Sequence, residues 1–110
     1  MKTHQPILVM SITAAAAIAQ RRFVGLDGDL CAAGAKALGV SEFAVESGEQ
    51  ATTNVLGCIL VEAGAAVAAG VEVESDATGR AITLASGTGN GYSLDAATAP
   101  GDVIRIVRGI

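Results

Sequence analysis

The run Val55-Leu56-Gly57-Cys58-Ile59-Leu60-Val61-Glu62, then Ala63-Gly64-Ala65-Ala66-Val67-Ala68-Ala69-Gly70, then Val71-Glu72-Val73-Glu74-Ser75-Asp76-Ala77-Thr78-Gly79-Arg80-Ala81, decides how the chain is read. Its first part is a short apolar run, the pattern of a buried strand. Its middle is a crossover of small residues. Its last part alternates apolar and acidic side chains as a half-covered strand does, and Asp76-Ala77-Thr78-Gly79 is a tight turn into a further strand. No catalytic group stands out, so the stretch reads as scaffold.

Toward the C-terminus, Arg80 to Leu84 alternates and Ala85 to Gly91 reads as a flexible glycine-rich loop. Pro100-Gly101-Asp102 turns the chain into a last strand, Val103 to Arg108, in which Ile104 and Ile106 share one face and Arg105 and Val107 the other. Toward the N-terminus, residues 1–6 are expected as an extended arm, because Pro6 lacks a backbone donor and disfavours helix at Gln5. Ile7 to Thr13 is the first strand, and Ala14 to Ala19 is left between a helical turn, which propensity favours, and a loop. Arg22 to Leu26 is a short strand ended by Asp27-Gly28-Asp29, and Ser47 to Gln50 is a turn. No internal repeat or linker is visible. Turn signals recur at the spacing of about 8–12 residues expected for a sandwich or barrel. The expected fold is mainly β: a small antiparallel β-sandwich or barrel-like domain over residues 7–110, with at most one short helix and an N-terminal arm over residues 1–6.

Apolar residues make up 51% of the 110, but many are alanine, there is no tryptophan, and the aromatics are Phe23, Phe43 and Tyr92. A buried methyl contributes about 0.8 kcal/mol against roughly 1.5–3 kcal/mol for a valine, leucine or isoleucine, so the core is thin and association is expected to help hold it. Charged residues are only 16%, below the roughly 25% usual for a soluble domain, which marks surface meant to be covered. The net charge of −4 and pI near 4.7 argue against nucleic-acid binding. The adjacent Arg21-Arg22 reads as a solvated pair at a strand start.

Met1 to Ala19 has the basic start, short apolar run and small-residue ending of a secretory signal. Ser11 and Thr13 interrupt it, however, and Ile7 to Thr13 is β-prone, so a strand is expected instead. A membrane helix would need a longer run.

Candidate chemistry is sparse. Cys31 and Cys58 lack metal-ligand spacing and read as buried small hydrophobes. Gly87-x-Gly89-x-Gly91 is followed by no lysine and lacks the spacing of a dinucleotide or phosphate loop. The sole histidine, His4, lies in the arm, so a triad would require the arm to fold back on the core. Glu72 and Glu74 share a strand face, about 7 Å apart at 3.3–3.4 Å per residue, and read as a solvated face or guarded edge rather than a hydrolytic pair. Asp27, Asp29, Asp76 and Asp102 sit in turns, where they cap backbone, and the ligand series of a calcium loop is missing. No catalytic residue, metal ligand or cofactor is assigned.

The order and spacing of three segments carry a family likeness: Leu56 to Gly70, Asp76 to Ala81, and Leu94-Asp95-Ala96-Ala97-Thr98-Ala99 with Gly101-Asp102-Val103-Ile104-Arg105-Ile106. Together they resemble the capsid cement, or head decoration, proteins of tailed bacteriophages. Met1 to Ala19, Arg22 to Gly25 and Leu38 to Val40 resemble one branch of that family, and Gly91 to Leu94 and Pro100 depart from its pattern. The resemblance implies a non-enzymatic virion protein, made in the host cytoplasm, that sits on the outer surface of an expanded head. It implies as partners the major capsid protein and the chain itself, as a trimer or else a dimer, with no cofactor, nucleic acid or membrane. With it goes a candidate capsid contact at Lys2, Thr3, His4, Gln5 and Pro6 by strand addition. The other readings are a secreted adhesive β module, favoured by a mature start near Gln20, and a small hydrolase or ligand-binding domain, favoured by a polar pocket around His4 or Cys58.

Overall fold

The computed structural model describes residues 3–110. Its strands are β1 Gln5–Thr13, β2 Phe23–Gly25, β3 Ala37–Ser41, β4 Gln50–Glu62, β5 Glu72–Ser75, β6 Ala81–Thr83, β7 Gly91–Ser93 and β8 Val103–Arg108. They pair antiparallel in the order β2-β3-β4-β8-β7-β5-β6, with β1 on β4, and the sheet rolls into a nearly closed barrel, as the mainly β reading requires. No helix forms among the described residues. Helix propensity at Ala14 to Ala19 loses to long-range backbone bonds, among them Ala14 N to Glu49 O (2.8 Å) and Ala15 N to Gly28 O (3.0 Å).

The opening stretch belongs to β4, which starts at Gln50 rather than Val55 and serves as the axis of the sheet. Thr53 and Asn54 pair with Met10 and Val9 of β1 and also with Ser41 and Val40 of β3. Gly57 and Cys58 pair with Pro6 and Gln5 and also with Arg108 and Val107 of β8. A residue paired twice has a neighbour on each edge, so β1 runs along one edge of β4 while β3 and then β8 share the other. Inside lie Phe23, Val40, Ile59, Val61, Val73, Ile104 and Ile106, filled in by Cys31, Ala37, Ala63, Ala81 and Ala97, with a second cluster of Ala14, Ile18, Val24 and Ala51. The alternation of β8 is as expected, and it carries Arg108 inward with Ile104 and Ile106.

The expectation of no internal repeat is corrected: the chain contains the same backbone device twice. In the first copy Ile18 and Val45 exchange both backbone hydrogen bonds at 2.9 Å, and in the second Val67 and Ala97 do so at 2.9 and 2.8 Å. Ala14 bonds to Glu49 and Gly48 as Ala63 bonds to Asp102 and Gly101. The Ser41 hydroxyl donates to Ala19 O at 2.7 Å and accepts from Arg22 N at 3.1 Å; that of Ser93 donates to Ala68 O at 2.7 Å and accepts from Val71 N at 3.1 Å. Each bend turns out through a left-handed residue: Arg21 (φ 60), Gly48 (86), Gly70 (80) and Gly101 (94). By this correspondence β1 matches the second half of β4, and the first half of β4 matches β8.

Three local expectations are sharpened. The turn aspartates cap backbone as read: Asp76 Oδ1 accepts from Thr78 N (2.9 Å) and Arg80 N (2.8 Å), and Asp102 Oδ2 from Thr98 N (2.8 Å). Burial pushes the Asp76 carboxyl up, but these backbone donors, the Thr78 hydroxyl and the Arg80 charge outweigh it and hold Asp76 below the ordinary carboxylate value. Glu72 and Glu74 do not form a solvated face: Glu74 is buried and Glu72 half-buried, because the 84–90 segment folds over them. Ala85 N donates to Glu74 Oε1 at 2.8 Å, and a Cβ at Gly87 or Gly89 would overlap the Glu74 or Glu72 carboxylate, so this loop is tied down on the acids. Arg22 is likewise no solvated cation, since it reaches Glu62 Oε2 (3.4 Å) and Thr78 O (3.1 Å), and Arg80 joins the same carboxylate at 3.5 Å.

Candidate interaction surface

β1 is an apolar, uncharged strand, Gln5-Pro6-Ile7-Leu8-Val9-Met10-Ser11-Ile12-Thr13, whose β-prone residues suit extended backbone. It pairs with β4 from Gln5 opposite Cys58 to Thr13 opposite Gln50, and the register shifts on either side of Leu8. Gly57 takes φ +109 there, and a Cβ on it would sit 2.6 Å from Gln5 O and 2.8 Å from Ile7 N. Only glycine lets the two backbones approach so closely. Gly57→Ala is therefore expected to destabilise the domain by about 2 kcal/mol or more, read as a lower urea midpoint with faster amide exchange along the start of β1.

What sets β1 apart is exposure. Ile7, Leu8, Val9 and Met10 are 83%, 41%, 48% and 45% exposed, covering both faces of the strand. Among the described residues only β4 pairs with it, so its outer backbone edge is open. The matching half of β4 has β8 along it from Gly57 to Glu62 and β1 on its other edge as far as Cys58, and Ile59, the counterpart of Met10, is fully buried. The strand carries no lysine or other charge to guard that edge.

Just ahead of β1, His4 is fixed by its ring. Nδ1 accepts from Leu60 N at 3.1 Å, and Nε2 lies 3.0 Å from Glu42 Oε2, which also accepts from Asn54 Nδ2 at 2.8 Å. That set of contacts assigns the proton to Nε2. Of the expected contact residues, Thr3 and Gln5 are exposed, Pro6 is half-buried beside Gly57, and His4 is half-buried; Lys2 lies outside the described residues. The extended segment thus folds back on the body at His4, a bond network that spacing could not reveal. Cys58 is half-buried, with its thiol 3.7 Å from Thr3 O, and Cys31 is buried in the core. Neither His4 nor Cys58 lines the clefts at Arg108, Cys31 or Glu74.

A family model described as phage cement protein matches residues 1–108. The comparison with curated proteins gives no match. Among solved structures, the base of the head fiber gp8.5 of bacteriophage phi29 superposes with a TM-score of 0.76, covering 93% of each chain at 20% identity. At that identity the likeness shows a shared fold.

Proposed function

Because the chain belongs to the phage cement protein family, we propose that it binds the outer surface of an assembled phage head and bridges neighbouring major capsid protein subunits through β1 and the residues before it. The contact comprises Lys2, Thr3, His4, Gln5 and Pro6, continued by the open edge of β1. A capsid strand adds to that edge by main-chain hydrogen bonds while Ile7 to Met10 pack against its side chains. The observation that carries this reading is the uncovered apolar strand, exposed on both faces from Ile7 to Met10 where its counterpart in β4 buries one face at Ile59 and Val61. Self-association into trimers, or else dimers, belongs to the same reading and is supported by the alanine-filled core and sparse surface charge. Many copies on a lattice then brace the shell by multivalency rather than by one tight site.

The test is co-sedimentation with purified phage heads. Wild type is expected to pellet with heads and a variant lacking residues 2–6 to remain largely in the supernatant. Undiminished binding by that variant overturns the N-terminal contact, and no pelleting of wild type overturns head binding. Sedimentation equilibrium at micromolar concentration tests the oligomer, and a monomeric mass would count against it.

A further inference from the structure

Arg108 points into the barrel and is 9% exposed. Its Nη2 donates to Ala37 O at 3.0 Å, while its Nη1 is buried with no hydrogen-bond partner. Among the described residues no carboxylate comes within 4.0 Å of it. Burial pushes its pKa below the ordinary guanidinium value. A buried charge without a counter-ion is costly, and an apolar side chain of similar volume would serve the fold as well or better. Packing alone therefore does not account for an arginine here.

Beside it a cleft of ≈ 380 Å³ opens in the seam where β3 leaves the edge of β4 and β8 takes its place. Its charged lining is Lys36, Glu72 and Arg108, and Leu56, Tyr92 and Ile110 give it apolar walls. Lys36 Nζ donates to Gly89 O at 3.3 Å and makes no ion pair among the described residues. Glu72 lies with its carboxylate against Gly89, so the cleft holds two cations to one acid in a chain of net charge −4.

We propose that this cleft is a receptor for a single carboxylate group, bound by Lys36 and drawn by the buried, unpaired charge of Arg108 behind it. One negative charge brings the lining of Lys36, Arg108 and Glu72 to neutrality, whereas a phosphate dianion would leave it net negative. The apolar walls suit a short methylene stem, so the carboxylate comes either from an acidic side chain of another polypeptide or from a small free acid. The site is independent of the head-binding reading, and its test uses the intact protein without heads.

Amide NMR of wild type titrated with sodium acetate, against sodium chloride at matched ionic strength, is expected to show saturable shifts at Gly89, Gly91 and Gly109 with acetate only. Lys36 is exposed, and Lys36→Gln should leave the fold intact while weakening acetate about tenfold. Arg108→Met should abolish the shifts and raise the urea midpoint, because the unpaired charge is gone. Glu72→Gln should tighten binding. In a second titration with a blocked peptide bearing one glutamate, affinity about tenfold above acetate assigns the site to a protein side chain, and equal affinity assigns it to small free carboxylates. Absence of saturable shifts in wild type, or shifts unchanged in Lys36→Gln, overturns the proposal. Should Arg108→Met fail to fold, Lys36→Gln decides alone.

Discussion

Val9→Lys is expected to abolish binding to phage heads while leaving the isolated domain folded. In the free protein the Val9 side chain is 48% exposed, so a lysine there keeps its ammonium in water and costs within about 0.5 kcal/mol of stability. Once a capsid strand lies along β1, the same position is covered on its open face, and a charge must be stripped of water with no acid on β1 to receive it. A penalty of about 3 kcal/mol per site corresponds to more than a hundredfold loss in site affinity, and a multivalent lattice amplifies the loss. The measurement is co-sedimentation with heads beside urea unfolding of the free variant. Full binding by a folded Val9→Lys protein would remove β1 from the contact. Phe43→Ala supplies the matched control: Phe43 is 59% exposed but lies in the bend after β3 rather than on β1, and head binding should be unaffected.

The parts of this molecule legible in the sequence are those whose cause is local. Period-two alternation put Ile104 and Ile106 on one face, which the structure turns inward, and read one residue further it puts Arg108 on that face as well. The Asp76 and Asp102 turns were legible because an aspartate caps donors only a few residues away. The duplication was not legible. Its defining bonds join Ile18 to Val45 and Val67 to Ala97 through backbone atoms, which place almost no demand on side-chain identity beyond small size. Its one recurrent marker, a glycine in the left-handed slot, is replaced by Arg21 in the first bend. Glu74 was misread for a related reason: alternation tells which residues share a face but not that a distant glycine segment covers it. Residues 1–6 are legible only as an extended arm, because the partners of His4, at Leu60 and Glu42, are remote in the chain.

Phe23→Ala is expected to cost the fold about 3–5 kcal/mol, a large share of the 5–15 kcal/mol available to a domain of this size. Phe23 is fully buried and is the sole aromatic side chain of the described core. Its position is fixed by the backbone on both sides: Phe23 N donates to Gly79 O at 2.6 Å, and Phe23 O accepts from Cys31 N at 3.0 Å. The strand therefore cannot slide inward to close the space. The rest of the cluster is valine, isoleucine, alanine and cysteine, whose short or β-branched side chains cannot reach across the space a phenyl ring leaves. Phe23 is the largest side chain of this core, so removing it leaves a cavity bounded by rigid β ladder. The melting temperature should fall by on the order of 15 °C or more, measured by calorimetry at a concentration where the oligomeric state of wild type and variant is the same. Phe43→Ala should shift it by no more than a few degrees, although the two phenylalanines look alike in sequence. A loss under about 1.5 kcal/mol in Phe23→Ala, below the range for such a truncation, would mean that association rather than this core holds the barrel together.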